Sequence, residues 1–327
     1  MSEESNKETI LKVEHLKKYF PLDRSKDEVV KAVDDVSFNV QKGQIVGIVG
    51  ESGCGKSTLG RCIMNLTTAT EGKVIFRGEN LYDLPPAKMK EKRRNMQMVF
   101  QNPYSSFNPR HIIGKSLMDV GLEYRMSKAD TAKRLEELLK LIELDPIVLT
   151  RRPSELSGGQ LQRLAIARAL VVNPEFILAD EAVSALDVSV QAQILNMLMD
   201  LRKEFNLTML FISHDLTVIE HISDYIVVMY LGRIVEMGNG REIFNSPAHP
   251  YTKALLSAKP RERPDQNTKR IILKGDVPNA VHIPANCRFC NRCPEYKKEI
   301  CDHGEPILTQ ISGTHYAACA KNRDKAE

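Results

Sequence analysis

The residues whose types and spacing point most directly to chemistry lie at positions 50–58. They fit the Walker A pattern, G-x-x-x-x-G-K-[ST], and read Gly50, Glu51, Ser52, Gly53, Cys54, Gly55, Lys56, Ser57 and Thr58. The glycines let the backbone aim its N–H groups inward without a side chain that blocks a phosphate. Lys56 can place a charge on the β- and γ-phosphates, the Ser57 hydroxyl can ligate Mg²⁺, and Thr58 can assist at the α- and β-phosphates. We call residues 50–58 the phosphate loop, and we expect its Cys54 to be a small loop residue rather than a reactive thiol.

Two adjacent carboxylates, Asp180 and Glu181, follow an apolar run at residues 176–179. An acid at the carboxyl end of a buried strand, beside a phosphate loop, is placed to hold Mg²⁺, and Asp180 is predicted to take that role. Glu181 can then polarise the attacking water as a general base. The alternative is a strand end whose two acids are solvated and bind nothing.

Two further polar residues, Gln101 and His214, each follow a predicted strand. The Gln101 amide can ligate Mg²⁺ or orient water, and His214 is a candidate contact for a γ-phosphate. A single residue at a strand end is more often structural, so each is weak evidence when taken alone.

A second glycine motif lies at residues 156–160 and reads Leu156, Ser157, Gly158, Gly159 and Gln160. We call it the signature turn. It precedes an apolar helix that Ser157 can cap, which makes it a second anion site at a helix N-terminus. One nucleotide rarely needs two such loops, so the second is predicted to serve a nucleotide on a partner subunit. The alternative is a capped helix start without a ligand.

Taken in order, these motifs resemble the ATP-binding subunit of ABC transporters over about residues 10–258. The resemblance also identifies residues 184–187 as the D-loop, with Asp187 at its end, and His214 as the switch histidine. It implies a head-to-tail dimer in which two ATP molecules lie between the Walker A motif of one subunit and the LSGGQ motif of the other. It further implies an aromatic residue that stacks on adenine. Tyr19 and Phe20 are both available, and the spacing from Leu16 favours Phe20, with core packing as the alternative.

Three features narrow the resemblance to the peptide-importer branch of the family. They are residues 99–110, residues 249–252 (His-Pro-Tyr-Thr) and the Cys-rich tail. That branch implies import of oligopeptides or dipeptides, and nickel importers are close to it. It implies pairing with a second, non-identical ATPase subunit, two transmembrane permease subunits and, indirectly, an external peptide-binding protein. The chain is accordingly expected to be peripheral, at the cytoplasmic face of the cell membrane.

Five of the seven cysteines fall late in the chain, at Cys287, Cys290, Cys293, Cys301 and Cys319. In a reducing compartment such a cluster indicates a metal site before it indicates disulfides. The resemblance implies that Cys287, Cys293, Cys301 and Cys319 correspond to thiols that hold a four-iron four-sulfur cluster in some members of the branch. Zinc and the absence of any metal remain alternatives, because Cys290 is an additional thiol and the spacing fits neither a ferredoxin nor a zinc ribbon.

The chain has 327 residues, of which 42% are hydrophobic and 27% charged, and a net charge of +4. This composition excludes a wholly disordered or fibrous protein. No apolar run approaches the ~18 residues of a membrane-spanning helix, and the polar start MSEESNKETI does not resemble a secretory signal. The nearly balanced charge does not argue for a nucleic-acid partner.

Alternation of predicted strands and helices indicates an α/β sheet with crossover connections. With the resemblance, the expected fold is a P-loop NTPase core sheet with an antiparallel β subdomain, an inserted α-helical subdomain and a small Cys-rich C-terminal extension. We expect an arm at residues 1–10, the ATP-binding domain at 11–258 with its helical insertion at about 102–160, and the extension at 259–327.

Two other functions are compatible with parts of the pattern. A soluble ABC ATPase that acts on nucleic acid or ribosomes often has two cassettes or a long coiled insertion, and this chain has neither. A metal-regulated binding module with a silent ATPase would not need Glu181 and His214.

Overall fold

The computed structural model describes residues 8–22, 25–258, 270–273, 275, 278 and 280–325. They form two compact units. Unit one comprises residues 8–9, 40–44 and 83–212, and unit two comprises the described residues of 10–39, 45–82 and 213–325. The start of the predicted extension, residues 259–267, and most of the predicted arm lie outside the described residues. Thr9 and Ile10, which were expected in the arm, belong to the first strand, where Ile10 is buried.

The elements agree closely with the periodicity of the sequence. The strands are β1 (Thr9–Leu22), β2 (Ser25–Gln41), β3 (Ile45–Val49), β4 (Glu71–Phe76), β5 (Glu79–Asn80), β6 (Met96–Val99), β7 (Phe176–Asp180), β8 (Thr208–Ser213), β9 (Tyr225–Tyr230), β10 (Arg233–Asn239), β11 (Thr309–Ser312) and β12 (His315–Ala317). The helices are α1 (Lys56–Ile63), α2 (Pro86–Asn95), α3 (Ile113–Glu123), α4 (Lys128–Leu141), α5 (Gly158–Leu170), α6 (Val188–Phe205), α7 (Leu216–Ile222), α8 (Gly240–Asn245), α9 (Pro250–Ser257) and α10 (Lys298–Cys301).

Unit one is built on three parallel strands, in which β7 pairs with β6 on one side and with β8 on the other. Every residue of β7 and β8 is buried, as expected for strands that are covered on both faces. The helices predicted between β6 and β7 are present, and α4 turns Leu135, Leu138 and Leu139 inward. Helix α2 was not predicted, because it is strongly charged and buries only Met89.

Unit two contains an antiparallel sheet, in the order β2-β1-β4-β5, and a second group of strands around β9. Strand β3 runs parallel to β9, and β9 forms an antiparallel hairpin with β10. The Leu231-Gly232 pair between two apolar runs predicts a hairpin with a two-residue turn, and the structure confirms it: Leu231 has φ 42° and Gly232 has φ 79°. Two consecutive residues with positive φ are typical of a type I′ turn, whose twist matches the strands that it joins.

The C-terminal segment (residues 280–325) belongs to unit two and shares its core. Strand β12 pairs antiparallel with β10, and β11 pairs with β12. The fully buried Glu236 of β10 accepts hydrogen bonds from the His315 ring and from the backbone N–H groups of Ala248 and His249. The sequence led us to expect a small Cys-rich extension with a metal site. It did not indicate β11 and β12, because these strands are too short and polar to give a periodic signal.

Phe289 is the main apolar anchor of the C-terminal segment. Its ring is buried between Tyr230 and Tyr251, at centroid distances of 5.3 and 5.4 Å, and lies 5.8 Å from the His249 ring. Tilted and edge-to-face contacts of this kind add to the free energy gained from burial.

Replacing Phe289 by Ala should therefore lower the free energy of unfolding by about 3–5 kcal/mol, the usual cost of removing a buried aromatic ring. Phe289→Leu keeps most of the apolar volume and should cost less than half as much. Urea denaturation followed by circular dichroism measures both variants. Equal, small losses in the two would contradict the anchoring role of the ring.

Candidate functional site

The phosphate loop connects β3 to α1 within unit two. All of β3 is buried, and the loop begins directly after it. Lys56 is the first residue of α1, and only 4% of its surface is exposed. Its Nζ donates to the carbonyl oxygens of Gly50 at 2.7 Å and Glu51 at 3.0 Å. The loop thus wraps around its own lysine and brings this charge to the N-terminal end of α1, where helical N–H groups also favour an anion.

Close backbone approaches fix the shape of this loop. A Cβ on Gly50 would collide with the backbone carbonyl oxygen of Met229, and a Cβ on Gly55 would collide with that of Ala32. Gly55 also has φ +104°, a conformation that residues with a side chain rarely adopt. The Gly232 N–H donates to the Cys54 carbonyl at 2.9 Å, which ties the loop to the β9–β10 turn.

The loop also has the form of an anion cradle. Gly53 has φ +78°, and among the described residues no heavy atom lies within 4 Å of a Cβ built on it. The Cys54 side chain is buried, and burial raises the pKa of its thiol. A buried, protonated thiol is a poor nucleophile, which fits the prediction that Cys54 is a small loop residue. These features fit the phosphates of a nucleotide.

Glu51 is held by two residues that sequence reasoning did not connect to it. Its backbone N–H donates to the Tyr251 hydroxyl at 2.8 Å. Its carboxylate accepts two hydrogen bonds from the Arg292 guanidinium, at 2.7 and 3.1 Å. Tyr251 belongs to the His-Pro-Tyr-Thr motif that was assigned only by resemblance.

Unit one brings Gln101 and Glu181 together. Asp180 ends β7 and is buried, and Glu181 follows with φ 48°, its N–H donating to the Ile212 carbonyl of β8 at 2.9 Å. The Gln101 amide Nε2 donates to Glu181 Oε2 at 2.8 Å. This hydrogen bond restricts the orientation of the Glu181 carboxylate.

The signature turn begins α5, also in unit one. Ser157 is the N-cap: its hydroxyl accepts from the Gln160 N–H at 3.3 Å, and the Gln160 side chain accepts from the Ser157 N–H at 3.0 Å. The predicted cap is thus confirmed, and Gln160 completes a capping box that the sequence analysis did not identify. A Cβ on Gly159 would lie 2.6 Å from Cγ1 of Val190 in α6, so the turn packs closely against that helix.

Asp187 caps the start of the same helix, α6. Its Oδ1 accepts from the Ser189 hydroxyl at 2.6 Å and from the Val190 N–H at 2.9 Å. The Ser189 hydrogen bond, followed by that from Val190, lowers the pKa of the Asp187 carboxyl. The signature turn and the predicted D-loop therefore meet at the first turn of α6.

The remaining nucleotide-site candidates lie in unit two. His214 directly follows β8 and precedes Asp215, which caps α7. Phe20 lies near the end of β1 with 40% of its surface exposed, and Lys18 Nζ is 4.8 Å from its ring centroid. Tyr19, the alternative, donates its hydroxyl to Asp34. Phe20 is thus the more accessible of the two rings.

All five late cysteines line one cavity of about 20 Å³. Burial raises the pKa of Cys287 to about 12 and that of Cys293 to about 11, which keeps these thiols protonated. Among the residues that the structure describes, no three His, Cys, Asp or Glu side chains are arranged to hold a metal ion. The thiols thus line one cavity without the arrangement of a metal site, so the predicted ligand set of Cys287, Cys293, Cys301 and Cys319 gains no support from the structure.

Comparison with known proteins agrees with the geometry. Residues 33–184 match the family described as ABC transporter, and residues 235–301 match the C-terminal region of oligopeptide/dipeptide transporters. The chain is 47% identical to the oligopeptide transport ATP-binding protein AppF of Bacillus subtilis, over 96% of this chain and 98% of that protein. It is 43% identical to the oligopeptide transport ATP-binding protein OppF of Haemophilus influenzae, over 98% and 99%.

A solved structure gives the same result for the fold. The dimeric structure of MJ0796, a bacterial ABC transporter cassette, superposes with a TM-score of 0.64 and 32% identity, covering 71% of this chain and 99% of that one. Within the described part of this chain, no helix has both the length and the apolar composition needed to cross a bilayer. On the strength of near full-length similarity and of a phosphate loop with the expected geometry, the chain belongs to the ABC transporter ATP-binding proteins of the oligopeptide/dipeptide transport family.

Proposed function

We propose that this chain hydrolyses ATP and thereby energises the import of oligopeptides or dipeptides through membrane permease subunits. The observation that carries the proposal is the phosphate loop. It is closed around the buried Lys56, opens onto α1, and has glycines where backbone contacts leave no room for a side chain. Residues 235–301, which match the C-terminal region of oligopeptide/dipeptide transporters, support the choice of substrate class.

The chemical roles follow from the residue types. Lys56 and the backbone N–H groups of residues 50–58 bind the phosphates, and Phe20 stacks on the adenine. Ser57, Gln101 and Asp180 would each supply an oxygen ligand to Mg²⁺, which would neutralise charge on the phosphates when bound. Glu181 accepts the proton of the attacking water, and its hydrogen bond to Gln101 orients the carboxylate for that step. His214 contacts the γ-phosphate.

The signature turn acts on a nucleotide that another subunit holds. Its capping box leaves further N–H groups of the first turn of α5 available to an anion. The signature turn packs on α6, and Asp187 caps that helix. A displacement of the signature turn would therefore also shift Asp187, within unit one. We infer that the partner is a second, homologous ATPase subunit. The pair then works on two permease subunits at the cytoplasmic face of the membrane, and an external binding protein delivers the peptide.

Substitution of Glu181 by Gln tests the general-base assignment. The amide keeps the size of the side chain and can still hydrogen-bond, but it cannot accept the proton. Multiple-turnover phosphate release should fall by about 10²–10⁴-fold, the usual contribution of a general base, while MgATP still binds and holds a closed dimer. Glu204→Gln, an exposed change near the end of α6, is the matched control and should hydrolyse ATP normally. Normal turnover by the Glu181 variant would remove this residue from the base role.

The metal cluster of the tail stays a prediction that rests on the five clustered cysteines and on the resemblance, and it is given no part in hydrolysis. Protein purified without oxygen should be brown and contain stoichiometric iron, because soft sulfur ligands favour iron–sulfur clusters or zinc. Iron and zinc are measured by elemental analysis. Colourless, iron-free protein from that preparation would contradict the cluster, and stoichiometric zinc would establish the alternative.

A further inference from the structure

An ion pair joins the C-terminal segment to the phosphate loop. Arg292 and Glu51 are 241 residues apart in the chain, and they form two parallel hydrogen bonds of 2.7 and 3.1 Å. Only 8% of the Arg292 side chain and 23% of the Glu51 side chain are exposed. Bidentate, partly buried pairs of this kind are stronger and more fixed in orientation than surface pairs.

The rings that surround this pair hold it in place. Tyr251, whose hydroxyl accepts the Glu51 N–H, packs against Tyr230 at a centroid distance of 4.7 Å and against Phe289 at 5.4 Å. Phe289 is buried and lies three residues before Arg292, whose backbone N–H donates to the Phe289 carbonyl at 3.0 Å. The position of the Arg292 guanidinium is therefore set by the same apolar cluster that anchors the C-terminal segment.

Glu51 is an acidic residue in a loop built to receive a polyanion. An unpaired carboxylate at this position would repel nucleotide phosphates, and at the partly buried loop the repulsion would be weakly screened. Arg292 neutralises that charge, and its guanidinium stays protonated at any physiological pH. The hydrogen bonds to Glu51 raise the pKa of Arg292 still further.

We propose that Arg292 is a positioning residue for nucleotide binding: it neutralises and immobilises Glu51, and so makes the ATP affinity of the phosphate loop depend on the C-terminal segment. The proposal rests on the assignment of residues 50–58 to the phosphates of ATP. It gives the segment a role in nucleotide binding that is independent of any metal.

A double-mutant cycle on the full-length chain tests this coupling, with the Kd for MgATP measured by equilibrium binding of a fluorescent ATP analogue. Arg292→Gln should raise the Kd roughly 3- to 10-fold, because it leaves Glu51 charged and unpaired. Glu51→Gln should leave the Kd at or below the wild-type value, because it removes the repulsive charge. In the Glu51→Gln background, Arg292→Gln should change the Kd by less than about two-fold. Arg292→Lys should restore part of the affinity, since it returns the charge without the bidentate geometry.

Lys253→Met is the matched control. It breaks the 3.0 Å ion pair between Lys253 and Glu295, which also joins the C-terminal segment to α9 but does not contact the phosphate loop. The Kd of this variant should equal that of the wild type. The maximal ATPase rate at saturating MgATP should stay within about two-fold in Arg292→Gln, because the change affects binding and not the chemical step.

Three results would overturn the proposal: an unchanged Kd in Arg292→Gln, an equal rise in Kd in both Glu51 backgrounds, or a rise in Glu51→Gln itself. The second would show that Arg292 only stabilises the fold. Should Arg292→Gln not fold, the Kd of Glu51→Gln decides. A Kd at or below the wild-type value supports the proposal, and a higher Kd overturns it. Lys56→Ala distinguishes a failure of the Arg292 proposal from a failure of the proposed function. This variant should lose MgATP binding whether or not Arg292 affects the Kd. ATP affinity that survives in Lys56→Ala would contradict the phosphate-loop assignment itself.

Discussion

The structure of unit two depends on how closely its backbone segments approach one another at the phosphate loop. The loop passes so near the carbonyl oxygens of Ala32 and Met229 that only glycine fits at positions 55 and 50. This close approach lets the loop close around Lys56. The carbonyl oxygens of the loop accept hydrogen bonds from its nearly buried ammonium group. A buried charge is tolerated only with such partners, so the loop and its lysine stabilise one another. The elements that hold Ala32 and Met229 in place, β2 and β9, therefore also shape the site.

The C-terminal segment is part of the packing of unit two around the phosphate loop. It extends the sheet at β10, inserts Phe289 among the rings of Tyr230 and Tyr251, and reaches Glu51 with Arg292. One cluster of rings thus connects the β9–β10 hairpin, the start of α9 and the phosphate loop. The His-Pro-Tyr-Thr motif has a physical meaning in this setting. His249 caps α9 and accepts the Tyr251 N–H, which directs the Tyr251 hydroxyl to the loop.

Much of the fold was predictable from local patterns. Apolar runs predicted β3, β7 and β8, the Leu231-Gly232 pair predicted the β9–β10 hairpin, and Ser157 predicted the cap of α5. Helix α2 and strands β11 and β12 were missed because they are charged or short and so have no clear apolar period. Of the site, motif spacing indicated Gln101 and Glu181 separately but not their hydrogen bond, since they are 80 residues apart. The Arg292–Glu51 pair joins residues still more distant, and spacing alone did not show that the five late cysteines line one cavity.

The central claim is that residues 50–58 bind the β- and γ-phosphates of ATP, and it is tested most directly by comparing nucleotides that differ only in phosphate number. Isothermal titration of the full-length protein with ATP, ADP and AMP, each with Mg²⁺, measures the contribution of each phosphate to binding. The account predicts tight binding of ATP, somewhat weaker binding of ADP, and a loss of at least about 100-fold for AMP, or roughly 3 kcal/mol. Equal affinity for ATP and AMP would show that the protein recognises only the nucleoside, and would contradict the account.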